Sequence, residues 1–565
     1  MIQASLANHN STEKKESSRW LVIVEVLFIF CLFFLFAGNA PPSEGESHYL
    51  AKAKHYWNPS WCAGDLFLES ADAHYAFYWV FGWVTKFFSL DSSTWILRIV
   101  LWGLLAISWQ RLSSSIIARP LWSIFTAALF LVALQTAPMA GEWVVGGVEG
   151  KVAAYAALFM AIAAAIEGRW NRAWIWIGVA SAFHVLVGGW GGVILGGAWC
   201  FTPENRVSLR SMLPGLAAGL GVALVGLLPA IWLTLGTPAE ITEEANRIYV
   251  FERLPHHLVI HAFKRDPFIQ FVVCLVLGAW LAWTLRADRR LRLLWLVVTG
   301  ALVIAVAGLV IDQLLWSHPA LAAKLLKYYW YRMSDSMLSV GLAMAVAVKI
   351  ISLESTRPKL AQGLLGGLVL VCTLLMIDHR QKRVAMPLPP SIVQSKPTPD
   401  TRSISFRQRW GLAPRKTMTL ANYDSITYDE HYYHWVKVCE WIDQNTPAES
   451  RFLVPRSQQT FKWYAQRSDV ANWKDIPQDA ASIVKWQKTI DAIYPPISRR
   501  ADLLYWNDRS LERLGKEFNA QYIVVDRTRS QRVVKFKRIY PRLLNESAVF
   551  EVYELPPAPR SKSAP

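Results

Sequence analysis

Apolar and polar positions fall in long blocks along this chain. About eleven apolar runs approach the ~20 residues needed to cross a ~30 Å hydrocarbon core, at 20–38, 92–110, 119–138, 150–167, 173–186, 188–201, 211–235, 267–285, 291–314, 333–352 and 360–378. They predict a mainly α fold, a polytopic bundle of transmembrane helices. The pair within 173–201 is short and is interrupted at Gly188, Gly189 and Trp190, so it reads either as a hairpin of two tilted helices or as one re-entrant segment. The first run follows Arg19 and is longer than the ~7–15 apolar residues of a secretory signal core, which favours a retained anchor.

The polar segments between the runs are of two kinds. One set is short and basic: Lys14, Lys15 and Arg19, then Arg111 and Arg119, Arg169 and Arg172, Arg206 and Arg210, Arg286, Arg289, Arg290 and Arg292, and finally Arg357 and Lys359. Regular alternation of this kind marks the cytoplasmic side, so residues 1–19 form a cytoplasmic N-terminus. Arg380, Lys382 and Arg383 break the pattern, because they follow the last run on the outer side. The other set, at 38–91, 139–149, 236–266 and 315–332, is long and rich in charged and aromatic residues, as loops that build a site are. Within the first of these, "DAHYAFYWVFGWVTKFF" at 72–88 suits a helix lying at the lipid–water boundary.

Periodicity changes after Asp378. "MPLPPSIVQSKPTPDTRS" reads as part of an extended Pro-rich linker over 379–430. A soluble α/β domain follows over 431–565: "HWVKVCEWIDQNTP" puts Trp435, Val438, Cys439 and Ile442 on one helical face, and "RFLVP", "YIVVDR" and "AVFEVYEL" read as strands. "NES" at 545–547 matches a glycosylation sequon, a match that is frequent by chance.

Composition agrees with the block pattern. Of 565 residues 53% are hydrophobic and 18% charged, which excludes an ordinary soluble globule. The net charge of +17 needs no nucleic acid, because the basic residues sit where cytoplasmic loops require them. Cys31, Cys200, Cys274 and Cys372 lie inside apolar runs; only Cys62 and Cys439 are placed to meet an oxidising compartment.

Candidate chemistry collects in the outer loops. Glu44 and Glu46 follow the first span directly, and Asp65 lies further along the same loop. "KLLKYYWYRMSD" offers Lys324, Lys327, Tyr329, Arg332 and Asp335; Arg332 and Asp335 are three apart on one helical face, in register to pair, and an Arg forks onto phosphate oxygens. The plainer alternative is an interfacial anchor. "GEWVVGGVEGK" adds Glu142, Glu149 and Lys151, and His184 lies inside a predicted span, where a helix-to-helix hydrogen bond is the simpler role. His257 and His261 are four apart, as a helical metal pair would be, but no carboxylate or Cys accompanies them at a fixed spacing. Glu25 is near enough to the cytoplasmic end of the first span to reach water. In the outer domain Arg456, Gln458, Gln459, Lys462, Trp463, Arg467 and Trp473 resemble a carbohydrate-contacting surface in chemistry, with packing as the simpler role for the two Trp.

"GESHYLAKA", "AGDLFLES" and "AHYAFYWVFGWVTKFFSLDSSTWILRI" together resemble the opening of the C-type glycosyltransferases, and "WIDQNTPAESRFLVP" is similar to the outer domains of such proteins. Those are multi-spanning enzymes that take sugars from polyprenyl-phosphate carriers. The chain looks closer still to bacterial membrane proteins of this architecture whose substrates are not defined. The resemblance covers 44–100 well and the remaining helices in layout only. It implies transfer of a sugar from a polyprenyl-phosphate donor to a glycan, lipid or protein acceptor at the outer face of the bacterial cytoplasmic membrane. The family's Asp-Glu pair falls on Gly45-Glu46, so the Asp is missing, and Glu44 stands one position early. On this reading Glu46, with Glu44 or Asp65, is the base or holds a divalent metal, Mg or Mn. Lys324, Lys327, Tyr329, Arg332 and Asp335, with Glu149 and His184, contact the substrate. A transporter or flippase with His184, Arg332 and Asp335 along its path, or a non-catalytic scaffold with an outer binding domain, are the alternatives.

Overall fold

Every apolar run named above folds as a helix, because backbone groups inside a bilayer must bond within their own segment. The protein is described from a computed structural model that covers residues 2–43, 45–202, 207–384, 417–420, 423–499, 502–530, 532–542 and 548–556. The membrane part contains α1 (Ile2–Ala37), α2 (Glu46–Trp57), α3 (Tyr75–Val80), α4 (Leu90–Ile116), α5 (Trp122–Thr136), α6 (Gly150–Ile166), α7 (Trp170–Phe183), α8 (Val185–Cys200) and α9 (Leu209–Trp232). It continues with α10 (Ala239–Arg247), α11 (Pro255–Leu258), α12 (Arg265–Thr284), α13 (Arg289–Leu314), α14 (Pro319–Leu326), α15 (Arg332–Glu354) and α16 (Pro358–Val384). Among the described residues seven helices are long and apolar enough to cross a membrane: α4, α9, α12, α13, α15, and the segments Arg19–Ala37 of α1 and Pro358–Gln381 of α16. The chain is a multi-pass membrane protein. α5, α6, α7 and α8, at 15, 17, 14 and 16 residues, are shorter than a full crossing.

Helix starts follow from the sequence. Ser89, Ser208 and Asp288 accept hydrogen bonds from the backbone N–H groups of the first turns of α4, α9 and α13, satisfying donors that have no partner inside the helix. The break in the 173–201 pair comes at His184, whose extended backbone separates α7 from α8, and not at the glycines. The glycines serve approach instead. A Cβ on Gly188 would lie 2.2 Å from the backbone N of Ser181, and one on Gly178 of α7 would lie 2.2 Å from Gly219 O of α9, so these helices pack backbone against backbone.

Polar contacts sort the loops to two ends of the bundle. At one end Arg111 pairs with Glu167, Arg119 with Glu354, and Arg290 donates to Ile116 O at 3.4 Å. These are the basic loops. Glu25 does not reach water there: it is buried and accepts hydrogen bonds from Gln110 Nε2 and the N–H of Leu121. At the other end the segments 39–88, 139–149, 236–262 and 315–332 meet. The stretch at 72–88 is an amphipathic ridge, with Phe77 and Tyr78 buried and Trp79, Val80, Trp83, Phe87 and Phe88 exposed, as a boundary helix requires. Arg380, the outer-side cation that broke the alternation, donates to Gly38 O (2.8 Å) while His379 stacks on Phe36. These contacts carry α16 past Asp378, so the expected linker does not begin at 379.

The C-terminal part is a small α/β domain. A two-stranded antiparallel ladder, β1 (Thr417–Leu420) with β2 (Tyr423–Thr427), falls inside the expected linker; residues 385–416 lie outside the described residues. It leads into α17 (Tyr428–Asn445), which places Trp435, Val438, Cys439 and Ile442 in the core on one face. The main sheet contains β3 (Arg451–Leu453), β4 (Ser468–Asp469), β5 (Tyr522–Asp526), β6 (Lys537–Tyr540) and β7 (Phe550–Glu554) in the order β4-β3-β5-β7-β6. β3 pairs in parallel with β4 and β5, and β7 is antiparallel to β5 and β6. α18 (Phe461–Ala465), α19 (Ala480–Ile493) and α20 (Asp508–Glu517) complete it. Cys62 and Cys439 are both buried free thiols. The "NES" sequon at 545–547 lies outside the described residues.

The domain is fastened to the membrane part through a lysine. Lys462 Nζ on α18 lies 3.1 Å from Asp65 of the first outer loop, 3.0 Å from Asp469 and 2.8 Å from Asp475, all buried. Burial alone would lower the lysine pKa; Asp469, Asp475 and Asp65 outweigh it and hold the group well above the ordinary value. Trp463 Nε1 donates to Asp91 Oδ1 of α4 at 3.0 Å, Gln459 bonds Asp475, and Arg467 donates to Thr446 O, so the carbohydrate-like group in α18 and its flanks is largely spent on packing. Removing the cation of a buried group of this kind costs about 3–5 kcal/mol. Lys462→Met is therefore expected to lower the melting temperature in detergent and to make the C-terminal domain separable by limited proteolysis, read on a gel.

Candidate functional site

The outer site starts from an ion pair that no solvent reaches. Glu46, the first residue of α2, accepts from Arg98 Nε and Nη2 of α4, each at 2.7 Å, and both side chains are 0% exposed. Its two oxygens also accept the N–H groups of Ser43 (2.6 Å) and Val148 (3.0 Å). Glu46 thus fastens three separate segments, and all of its acceptor capacity facing them is occupied. A lone Arg inside the second span was the available signal for Arg98, since a charge there is expensive unless paired.

The second outer loop is held from its other end by Asp335. In the first turn of α15, this carboxylate accepts the N–H groups of Met139 (3.1 Å), Ala140 (3.0 Å) and Glu142 (3.2 Å). The expected Arg332–Asp335 pair does not form. Backbone donors satisfy Asp335, and Arg332 Nε lies 3.2 Å from Glu142 Oε2 instead. The Arg332 guanidinium also sits over the ring of Tyr329, 4.1 Å from its centroid, and the Tyr329 hydroxyl shares a hydrogen bond with Tyr249 at 2.8 Å.

With both ends fixed, the loop brings two carboxylates to one lysine. Lys151 Nζ, at the start of α6, lies 3.5 Å from Glu142 Oε1 and 3.6 Å from Glu149 Oε2, with the Trp143 ring centroid 3.6 Å away. Glu149 packs against Gly45. That glycine has φ +80°, a left-handed conformation, and a Cβ built on it would lie 1.7 Å from Glu149 Oε1. The room of the side chain missing at position 45 is therefore filled by a carboxylate arriving from another loop. Burial pushes the Glu149 pKa up to about 7, with Lys151 opposing and Glu142 reinforcing the shift.

A small cavity opens beside this group, lined by Glu142, Tyr155, His184, Trp190, Tyr329 and Arg332 among others. His184 caps α8 by accepting the N–H of Val187 on Nδ1 at 3.3 Å, and so reaches the cavity edge at a helix break. Of the residues expected from the sequence, Tyr329, Arg332 and His184 line this cavity; Glu149 is not in its wall and is linked to it through Lys151 and Glu142. Asp335 supports the wall. Glu46 lies behind the loop and Asp65 belongs to the Lys462 cluster. Lys324 is exposed, and Lys327 turns to Asn246 Oδ1 at 3.1 Å. Glu44 lies outside the described residues. Tyr155 and Trp190 of the cavity wall and Tyr249 behind Tyr329 were not foreseen.

A divalent metal does not fit the donors present. Such an ion takes about six oxygen ligands at ~2.0–2.6 Å, whereas Lys151 already bridges Glu142 and Glu149. Among the described residues no group of three or more His, Cys, Asp or Glu side chains is placed to hold an ion. His257 is no exception: its Nδ1–H donates to Ala140 O at 2.6 Å, and burial pushes its pKa down to about 2.

These features define a multi-pass helical membrane protein with a charged pocket at one end of its bundle and a C-terminal α/β domain. Residues 433–493, within that domain, match the family model of a domain of unknown function (DUF6798). No curated protein matches the chain. Among solved structures it is similar to the archaeal oligosaccharyltransferase AglB from Archaeoglobus fulgidus in complex with an inhibitory peptide and a dolichol-phosphate. The identity is 12%, with 91% of this chain and 70% of that one covered and a TM-score of 0.41. The Archaeoglobus fulgidus oligosaccharyltransferase in the apo form gives 12%, 90%, 69% and 0.42.

The contact between Glu149 and Gly45 is open to test. Gly45→Ala forces a Cβ into the carboxylate and is expected to cost about 1–3 kcal/mol. Glu149→Ala in the same chain should recover part of that loss, and a melting-temperature double-mutant cycle reads the coupling.

Proposed function

We propose that the chain is a membrane glycosyltransferase-like enzyme that moves a sugar from a polyprenyl-phosphate carrier to an acceptor hydroxyl at the outer face of the bacterial cytoplasmic membrane. One observation carries this reading: a buried carboxylate with a pKa near neutrality, Glu149, shares a cluster with an arginine that lines a cavity at the outer end of the bundle. Transfer needs a base for the acceptor hydroxyl and positive charge for the departing phosphate. Glu149 takes the acceptor proton as the hydroxyl oxygen bonds to the sugar's anomeric carbon. The bond from that carbon to the phosphate oxygen breaks, and the lipid phosphate leaves with the electron pair, facing Arg332. The base role proposed first for Glu46 passes to Glu149, because the Glu46 oxygens are engaged by Arg98 and two backbone donors. Tyr329 and Tyr155 offer hydroxyl and ring faces to the sugar or carrier.

A transporter needs charges along a path through the membrane. The charged groups around the cavity gather at one end, and Asp335 is spent on backbone donors, which supports the enzyme reading over the transporter. The basic loops at the opposite end support a cytoplasmic placement for that end. Reporter fusions after Arg290 are expected to be cytoplasmic and fusions after Asp443 extracytoplasmic; a cytoplasmic signal at Asp443 removes the proposed outer site.

Glu149→Gln keeps the side chain's size and removes the base. Turnover with a polyprenyl-phosphate-linked sugar in liposomes should fall by about 100-fold or more at unchanged folded yield. Because a base acts only when ionised, wild-type turnover should rise through about pH 7, where Glu149 loses its proton, and the rise should vanish in Glu149→Gln. Unchanged turnover in Glu149→Gln overturns the assignment.

A further inference from the structure

The two carboxylates of the outer site share a cation that the chain itself supplies. Lys151 Nζ stands 3.5 Å from Glu142 and 3.6 Å from Glu149, and the face of Trp143 covers another side at 3.6 Å. The ammonium is buried and sits at the start of α6, where a long side chain cannot swing away without leaving Glu149 uncompensated and Glu142 with Arg332 alone. Two further groups on neighbouring segments are committed elsewhere, Asp335 to three backbone N–H groups and His257 to Ala140 O, and among the described residues no third His, Cys, Asp or Glu completes a metal shell. Two carboxylates facing one shared space are the core of a divalent-cation site, and here that space holds an ammonium.

We propose that Lys151 is a resident cation standing in place of a divalent metal, so that Mg2+ and Mn2+ are kept out of the site and phosphate is met by Arg332 with no metal bridge. Lys151 is then a positioning residue. It holds Glu142 against Arg332 and Glu149 against Gly45, a function that an ion drawn from solution would otherwise have to serve. Arg332 completes the arrangement, since Glu142 Oε2 lies 3.2 Å from its Nε while Glu142 Oε1 faces Lys151. The metal-exclusion part stands on this geometry alone; the phosphate part rests on the function proposed above.

The full chain in detergent is titrated with Mn2+, the free ion being followed by electron paramagnetic resonance. Wild type and Glu149→Gln are expected to give the same isotherm, because no Mn2+ reaches Glu149. Lys151→Met, confirmed as folded by size-exclusion, is expected to gain a saturable site that disappears in Lys151→Met/Glu149→Gln. Lys151→Ala serves if the methionine variant fails to fold. Farnesyl phosphate, as a soluble carrier mimic, should bind wild type equally in EDTA and in Mg2+, and at least 10-fold more weakly to Arg332→Ala. A wild-type Mn2+ site lost in Glu149→Gln, farnesyl phosphate binding that requires a divalent ion, or a folded Lys151 variant that gains no site each overturns the proposal. Absence of farnesyl phosphate binding in every buffer overturns the phosphate part and the carrier reading, while the Mn2+ isotherms still decide whether Lys151 holds the place of a metal.

Discussion

The Glu46–Arg98 pair is made where neither partner can be solvated, and this constraint organises the loops at that end of the bundle. Two unpaired charges at that depth would each carry a large desolvation cost, so the first outer loop is stable only when it lies against the second span. The same carboxylate accepts the N–H of Val148, which fixes the residue next to Glu149. The position of the catalytic candidate thus follows from a contact on the far side of its own loop. Asp335 performs the matching task at the other end of that loop, and the stretch between them has little freedom left.

The pocket's charges nearly balance within a few side chains. Glu142 and Glu149 face Lys151 and Arg332, and the one carboxylate with a pKa near 7 is the one packed over a glycine. A group poised in this way changes charge at little cost, which is what proton transfer at neutral pH requires.

Much of the scaffold was legible because bilayer thickness and backbone hydrogen bonding act on composition over whole segments. The apolar runs became helices, the boundary segment at 72–88 became an amphipathic ridge, and the Trp435–Ile442 face became the core of the outer domain. Pairing between distant residues was not legible. Arg332 and Asp335 sit at helical spacing, but spacing on one helix does not reveal that a loop from elsewhere supplies three N–H donors to one and a carboxylate to the other. Nor does position 45 alone show which chain segment occupies the volume its side chain lacks. Local signals marked the charged loops; which partners their side chains meet depends in part on contacts between distant segments, such as Glu46 with Val148.

The lysine cage at the domain junction draws its acids from both sides of the boundary. Asp65 belongs to the membrane part, whereas Asp469, Asp475 and Lys462 belong to the outer domain. The buried Asp65 carboxylate takes its cation from across the boundary. Such a domain is a poor candidate for free exchange between proteins: a transplanted version brings two acids and a cation to a membrane surface that must already offer the third acid at the right height. Lineages that shuffle such domains should therefore exchange the first loop together with them, and the junction acids should be inherited as one unit.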